Sequence, residues 1–254
     1  MNRLILLLSV LPCVAVTQHM GKCTDQQLGA CQAKFNSILN IQDDLDWHDP
    51  AALNYALYQI YSKGVNGLLE VCHARQAFYK CLGPNYYACM NPFFFLDHHF
   101  TADQAYGFVG AFHYMQFMCT GALEITVRNW PCILRTFTQQ SMALQECASA
   151  YNASMIDNPP LDKMCQYSQT FMDCYSKAFA AECTYSGEPA WWGCELVNSV
   201  LFIHEYCPPF KCDVPQPGPS VAPDTVTEQP SDVEGIEGTF VDQLAAVNVM
   251  LHRP

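Results

Sequence analysis

Apolar residues recur along most of this chain at intervals of three and four, the spacing that gathers them on one face of a helix. In CTDQQLGACQAKFNSIL, Thr24 and Gln27 form the capping-box pair of a helix start, and Leu28, Cys31, Phe35 and Ile38 share a face. In DPAALNYALYQIY, Asp49 is the cap, and Pro50 takes the first helical position, where its missing N–H is no loss. Leu53, Leu57 and Ile60 make that helix's stripe. The segment around Cys72 carries Val71, Ala74, Phe78 and Leu82 and stops at Gly83-Pro84. TADQAYGFVGAFHYMQFMC opens with a second capping box, Thr101 with Gln104. Further helices are expected from about 134 to 151, 162 to 181 and 189 to 206, with Pro131 and Pro208 marking two of the stops. No sustained period-two alternation interrupts this pattern, so the expected fold is all-α.

One of these helices is written twice. CHARQAFYKC (72–81) and CQYSQTFMDC (165–174) share Cys, Gln, Phe and Cys at the same offsets. The apolar face recurs with them, since Val71, Ala74, Phe78 and Leu82 correspond to Met164, Tyr167, Phe171 and Tyr175. A further cysteine follows each copy, Cys89 and Cys183, and upstream LGACQAKFN (28–36) resembles LQECASAYN (144–152). Downstream, Cys119 to Cys132 and Cys194 to Cys207 share one spacing. The chain therefore reads as two related helical modules, 18–132 and 133–212, the first longer through an extra helix near 50–62. Nine helical residues rise about 13.5 Å and turn the side chain to the opposite side, whereas bridged Cα atoms lie within about 7 Å. Cys72 and Cys81 on one helix must therefore pair with two different neighbours, and so must Cys165 and Cys174. Each repeated helix is expected to be a strut stapled on both flanks.

The ends of the chain differ from the middle. MNRLILLLSVLPCVAVTQ has a basic start at Arg3, an apolar run and small residues at Ala15 and Thr17, so residues 1–17 read as a signal peptide. The run is too short for a membrane span, and no other stretch is long and apolar enough. Of 15 cysteines, Cys13 leaves with that segment. The remaining set is Cys23, Cys31, Cys72, Cys81, Cys89, Cys119, Cys132, Cys147, Cys165, Cys174, Cys183, Cys194, Cys207 and Cys212. An even number in a secretory compartment implies disulfides, seven if all pair, but more than about a hundred thousand pairings are open. After Cys212 the chain turns rich in Pro, Ser, Thr and acid, so 213–239 reads as a disordered acidic tail. Residues 240–254 recover a stripe at Phe240, Leu244, Val247 and Leu251, a short amphipathic segment able to dock on the body or on a partner. The formal charge of −12 argues against nucleic acid and anionic membrane surfaces as partners.

A signal peptide followed by helical cysteine pairs around CHARQAFYKC, QFMC, NWPC and LQECASAYN resembles a large nematode family of secreted cysteine-rich domains, known as a domain of unknown function, number nineteen in its series. The resemblance covers roughly 23–212 and leaves the tail outside. It implies an extracellular location and a bridged helical fold. The family has no established activity, cofactor or catalytic residue, so none is carried over.

Sequence signatures of catalysis are missing. There is no G-x-S-x-G, P-loop, G-x-G-x-x-G or H-E-x-x-H, and His204-Glu205 lacks the second histidine of a zinc protease. No C-x-x-C occurs, which counts against zinc ribbons and thioredoxin-like chemistry. In NPFFFLDHHF, Asp97, His98 and His99, with His113, are candidate metal ligands, but adjacent histidines on a helix point about 100° apart. No metal and no cofactor is expected. Phe93, Phe94, Phe95, Phe100, Phe108 and Phe112 crowd one region and surround their helix rather than lining one face. They are either central core or the lining of a lipophilic pocket or patch. Asn152-Ala153-Ser154 is the one N-glycosylation sequon, and Ser186-Gly187-Glu188 reads as a turn. The expectation is a secreted, non-catalytic protein that binds an extracellular protein or glycan. The alternative is a carrier of a small lipophilic ligand in the first module. A hydrolase of unknown type comes third.

Overall fold

Polar caps start the helices where the sequence places them. The computed structural model describes residues 21–184, 187–201 and 206–213; the expected signal peptide and both expected tail segments, Asp213 excepted, lie outside these. In α1 (Asp25–Leu39) the Thr24 side chain accepts from the Gln27 N–H. The return half of that box is not made: the Gln27 amide donates to the Leu82 carbonyl and accepts from Asn85, fastening the start of α1 to the far end of α3. Asp49 caps α2 (Pro50–Tyr61). α3 (Val65–Leu82) ends at Gly83, whose φ of 54° belongs to the left-handed region that glycine enters without a Cβ clash. A 3₁₀ turn (Gly83–Asn85) leads into the short α4 (Tyr86–Cys89). Asn91 then caps α5 (Pro92–Asp97), an element the sequence reading missed although Asn before Pro is a start signal. α6 (Ala102–Cys119) carries the complete capping box of Thr101 and Gln104. The remaining helices are α7 (Leu123–Gln139), α8 (Ser141–Met155), α9 (Leu161–Glu182) and α10 (Glu188–Val200). No strand occurs among the described residues, and the fold is all-α.

Three boundaries differ from expectation. The helix expected over 134–151 is two helices, α7 and α8, broken at Gln140. Pro131 does not stop a helix but sits inside α7. It is exposed, so its ring points to water, the side on which a missing backbone bond is least damaging. α10 ends at Val200, short of the expected end at 206 and well before Pro208.

All fourteen cysteines among the described residues are bridged. The pairs are Cys23–Cys89, Cys31–Cys81 and Cys72–Cys119, then Cys132–Cys183, Cys147–Cys174 and Cys165–Cys207, and finally Cys194–Cys212. As the helical geometry required, α3 is stapled to α1 through Cys81 and to α6 through Cys72, and α9 to α8 through Cys174 and to the segment after α10 through Cys165. No bridge crosses from 23–119 to 132–212. In the first set the first cysteine pairs with the fifth, the second with the fourth and the third with the sixth, and the second set keeps this order once Cys194, which pairs with Cys212, is left out of the count. This order groups Cys132 with the residues after it, as the partner of Cys183, and makes Cys207 the counterpart of Cys119. The equal spacing of Cys119–Cys132 and Cys194–Cys207 is a coincidence of numbers, because neither pair shares a role. Ring contacts repeat along with the bridges: Phe35 meets Phe78 at 6.1 Å in the first set, and Tyr151 stacks on Phe171 at 4.7 Å in the second.

One continuous core joins the two sets. Its axis is α6, with eleven of eighteen residues buried, packed against α2, α3, α5, α7 and α10. Trp192 of α10 is fully buried near Phe117 of α6 at 5.7 Å and Phe179 of α9 at 5.2 Å, and its indole N–H donates to Thr126 of α7. Gly193 beside it lets α9 and α10 close up, since a Cβ there would meet the Phe179 ring and press on the Tyr175 carbonyl.

Candidate functional site

The aromatic cluster of the first set divides into core and surface. Phe95, Phe108 and Phe112 are fully buried. Their rings pack on one another and on protein neighbours: Phe95–Phe108 at 5.4 Å, Phe108–Phe112 at 5.0 Å, and Phe112–Phe78 at 4.3 Å. Trp47 closes the outer side, 5.9 Å from Phe108 and 6.2 Å from Phe95. These three side chains occupy the interior themselves, the central-core outcome of the two weighed from sequence. Phe94 and Phe100 are half-buried, against His98 and His48 respectively. Phe93 points outward from α5, 64% exposed.

The histidines next to this cluster hold the chain rather than converge. His98 Nδ1 lies 2.6 Å from the Phe94 carbonyl, and its Nε2 lies 3.5 Å from a carboxylate oxygen of Asp25 at the start of α1. His99 takes a left-handed φ of 65° at the turn into α6. His113 is half-buried within α6, away from that turn. Among the described residues no three His, Cys, Asp or Glu side chains gather in a metal-binding group.

A second surface was not singled out from the sequence. Tyr79 of α3 and Tyr86 of α4 pack ring to ring at 4.7 Å, and Tyr87 stands at 5.5 Å from Tyr86. Behind them the buried Arg75 guanidinium lies 5.7 Å from the Tyr79 ring and 6.0 Å from the Tyr86 ring. Tyr86 is buried, whereas Tyr79 is 39% and Tyr87 68% exposed. Two bridges tie this stretch to the chain before and within α1: Cys31–Cys81 between Tyr79 and Tyr86, and Cys23–Cys89 two residues beyond Tyr87. Its signal was present: the doubled Tyr86-Tyr87 follows a helix stop directly, so one ring must turn in and the other out. An exposed tyrosine pair over an arginine offers flat apolar rings with hydroxyl edges, suited to stacking on a sugar face or burying in a protein interface.

Deeper in the fold, Tyr61, Tyr114 and Tyr175 have their hydroxyls fully enclosed, and burial pushes all three far above the ordinary tyrosine value. These hydroxyls stay neutral and serve packing. Asn152 is partly exposed near the end of α8. Glu188 opens α10 and is engaged by Arg128 at 2.7 Å and Asn129 at 2.9 Å; Ser186 and His204-Glu205 fall outside the described residues. No described helix is long and apolar enough to cross a membrane. No protein-family model matches the chain, and neither does any curated protein or solved structure.

Proposed function

We propose that this chain is a secreted, non-catalytic binding protein that presents a contact surface for an extracellular protein or glycan on a disulfide-stapled helical body. The observation that carries the reading is the closure of all fourteen cysteines into seven bridges around a core filled by the chain's own rings. Bridges of this density belong to oxidising compartments. A fully bridged chain offers no thiolate nucleophile among these positions. What remains available to a partner is surface, and the Tyr79–Tyr87 platform over Arg75 has the composition that interfaces favour. The bridges at Cys81 and Cys89 restrict this stretch before binding, which lowers the ordering cost of a partner's contact.

The test screens the secreted protein against arrays of extracellular proteins and glycans, alongside a Tyr79→Ala/Tyr87→Ala variant of unchanged circular dichroism. The reading expects a partner bound by the native chain and lost by the variant. Native mass spectrometry is run in parallel. A small apolar molecule retained in the native state and released on denaturation would replace this reading with that of a carrier.

A further inference from the structure

The repeat places Asn36 of α1 and Asn152 of α8 at the same point, five residues beyond Cys31 and Cys147. The two asparagines are used differently. Asn36 is fully buried, and its amide donates to the carbonyls of Gln42 at 2.9 Å, Asp43 at 3.3 Å and Leu45 at 2.9 Å. Gln32 donates to the same Leu45 carbonyl at 3.0 Å. Residues 40–49 are thereby folded over the end of α1 before α2 begins. Among the described residues α8 has no such cover from its own connection, since only residues 156–160 join it to α9. Asn152 is consequently reachable, and the aliphatic side chains at this turn are left in water. Ile156, which ends α8 where Asn40 ends α1, is 69% exposed, and Leu161 at the start of α9 is 46% exposed. Ile156 keeps a helical backbone (φ −56°, ψ −41°), so Asn152 and Ile156 are neighbours one turn apart on the same face.

We infer that Asn152 carries an N-linked glycan whose first sugars cover the apolar α8–α9 turn at Ile156 and Leu161, in the place that residues 40–49 hold over α1. The inference rests on the secreted reading, because the modification is made in the secretory pathway. In that step the Asn152 amide nitrogen loses a proton and forms a bond to C1 of N-acetylglucosamine. The C1–O bond to a lipid pyrophosphate donor breaks, and the pyrophosphate leaves with the electron pair. The attached ring turns its C–H face and acetamido methyl to Ile156 and its hydroxyls to water. Ser154, the third residue of the sequon, has its hydroxyl bonded back to the Ala150 carbonyl at 2.8 Å in the folded helix, so the sugar is added before α8 forms.

The full chain is secreted from a glycosylating animal-cell host, and its intact mass and its Asn152 peptide are measured. The expected result is a glycan on Asn152. Releasing it from the folded protein with an N-glycosidase delays elution from a hydrophobic-interaction column and lowers the soluble concentration reached. The Ser154→Ala variant shows the same shift, and Ser154→Ala/Ile156→Ser/Leu161→Ser returns to the behaviour of the glycosylated protein. A secreted, fully oxidised chain with bare Asn152 overturns the inference. So does release without any shift, or a shift that persists in the triple variant. A chain retained in the cell with free thiols overturns the secreted reading itself, and this inference with it.

Discussion

In each set one bridge is nested inside another while a third crosses both, and nesting changes what each of the nested pair contributes. Cys31–Cys81 joins residues 50 apart, and Cys23–Cys89 lies just outside it. Taken alone, closing 50 residues restricts the unfolded chain by about 4 kcal/mol at 25 °C. While the outer bridge is intact, however, Cys31 and Cys81 are already linked by a path of only ~16 residues, about eight on either side, for which the same relation gives about 3 kcal/mol. Cys31→Ala/Cys81→Ala should therefore lower stability by about 3 kcal/mol through the unfolded state, with about 1 kcal/mol more from the lost packing of buried Cys31. The argument is symmetric for Cys23→Ala/Cys89→Ala. Removing both bridges should exceed the sum of the single removals by about 1 kcal/mol, because the second loss is then felt over the longer loop. Guanidinium titrations of the oxidised variants give the numbers, followed by the fluorescence of the buried Trp130 and Trp192. Losses below about 1 kcal/mol, or strictly additive losses, would refute the nested arrangement.

Two further outcomes follow from the core. Phe112→Ala should cost about 3–5 kcal/mol by opening a cavity against Phe35, Phe78 and Phe108, whereas Phe93→Ala on the exposed face of α5 should stay within about 0.5 kcal/mol; paired denaturant melts check both. Tyr61, Tyr114 and Tyr175 have pKa values raised on folding, so their contribution is fully present below the unfolded tyrosine value of 10.0 and is lost as pH rises beyond it. The folded protein should weaken above that pH, and phenolate absorbance should show these three titrating only on unfolding; a full set of tyrosinates in a chain that keeps its helical signal would contradict their burial.

Much of this arrangement is written in short-range chemistry. Thr24, Asp49 and Thr101 announce three helix starts because a side-chain oxygen must meet free N–H groups there, and Gly83 announces an end because its φ excludes a Cβ. The outward pairing of Cys72 and Cys81 follows from helical rotation alone. The break at Gln140 carries no glycine or proline, and Pro131 is tolerated because tertiary packing leaves it facing water, so neither boundary is visible locally. Which cysteine meets which is a matter of tertiary contact, and the shared spacing around Cys132 pointed the wrong way. The six phenylalanines illustrate the same limit. Their clustering is legible, but only packing decides that Phe108 and Phe112 are core and Phe93 is surface. The Tyr79–Tyr87 platform was missed because Arg75 and Tyr86, which support it, lie eleven residues apart and meet only across the α3–α4 turn.

The most direct test of the account is disulfide mapping of the native protein by mass spectrometry of unreduced peptides. The account predicts seven linked pairs, no free thiol among the fourteen positions, Cys23–Cys89, Cys31–Cys81 and Cys72–Cys119 in the first set, their counterparts Cys132–Cys183, Cys147–Cys174 and Cys165–Cys207 in the second, and the additional Cys194–Cys212. A bridge joining the two sets, or an unpaired cysteine in the native chain, would contradict it.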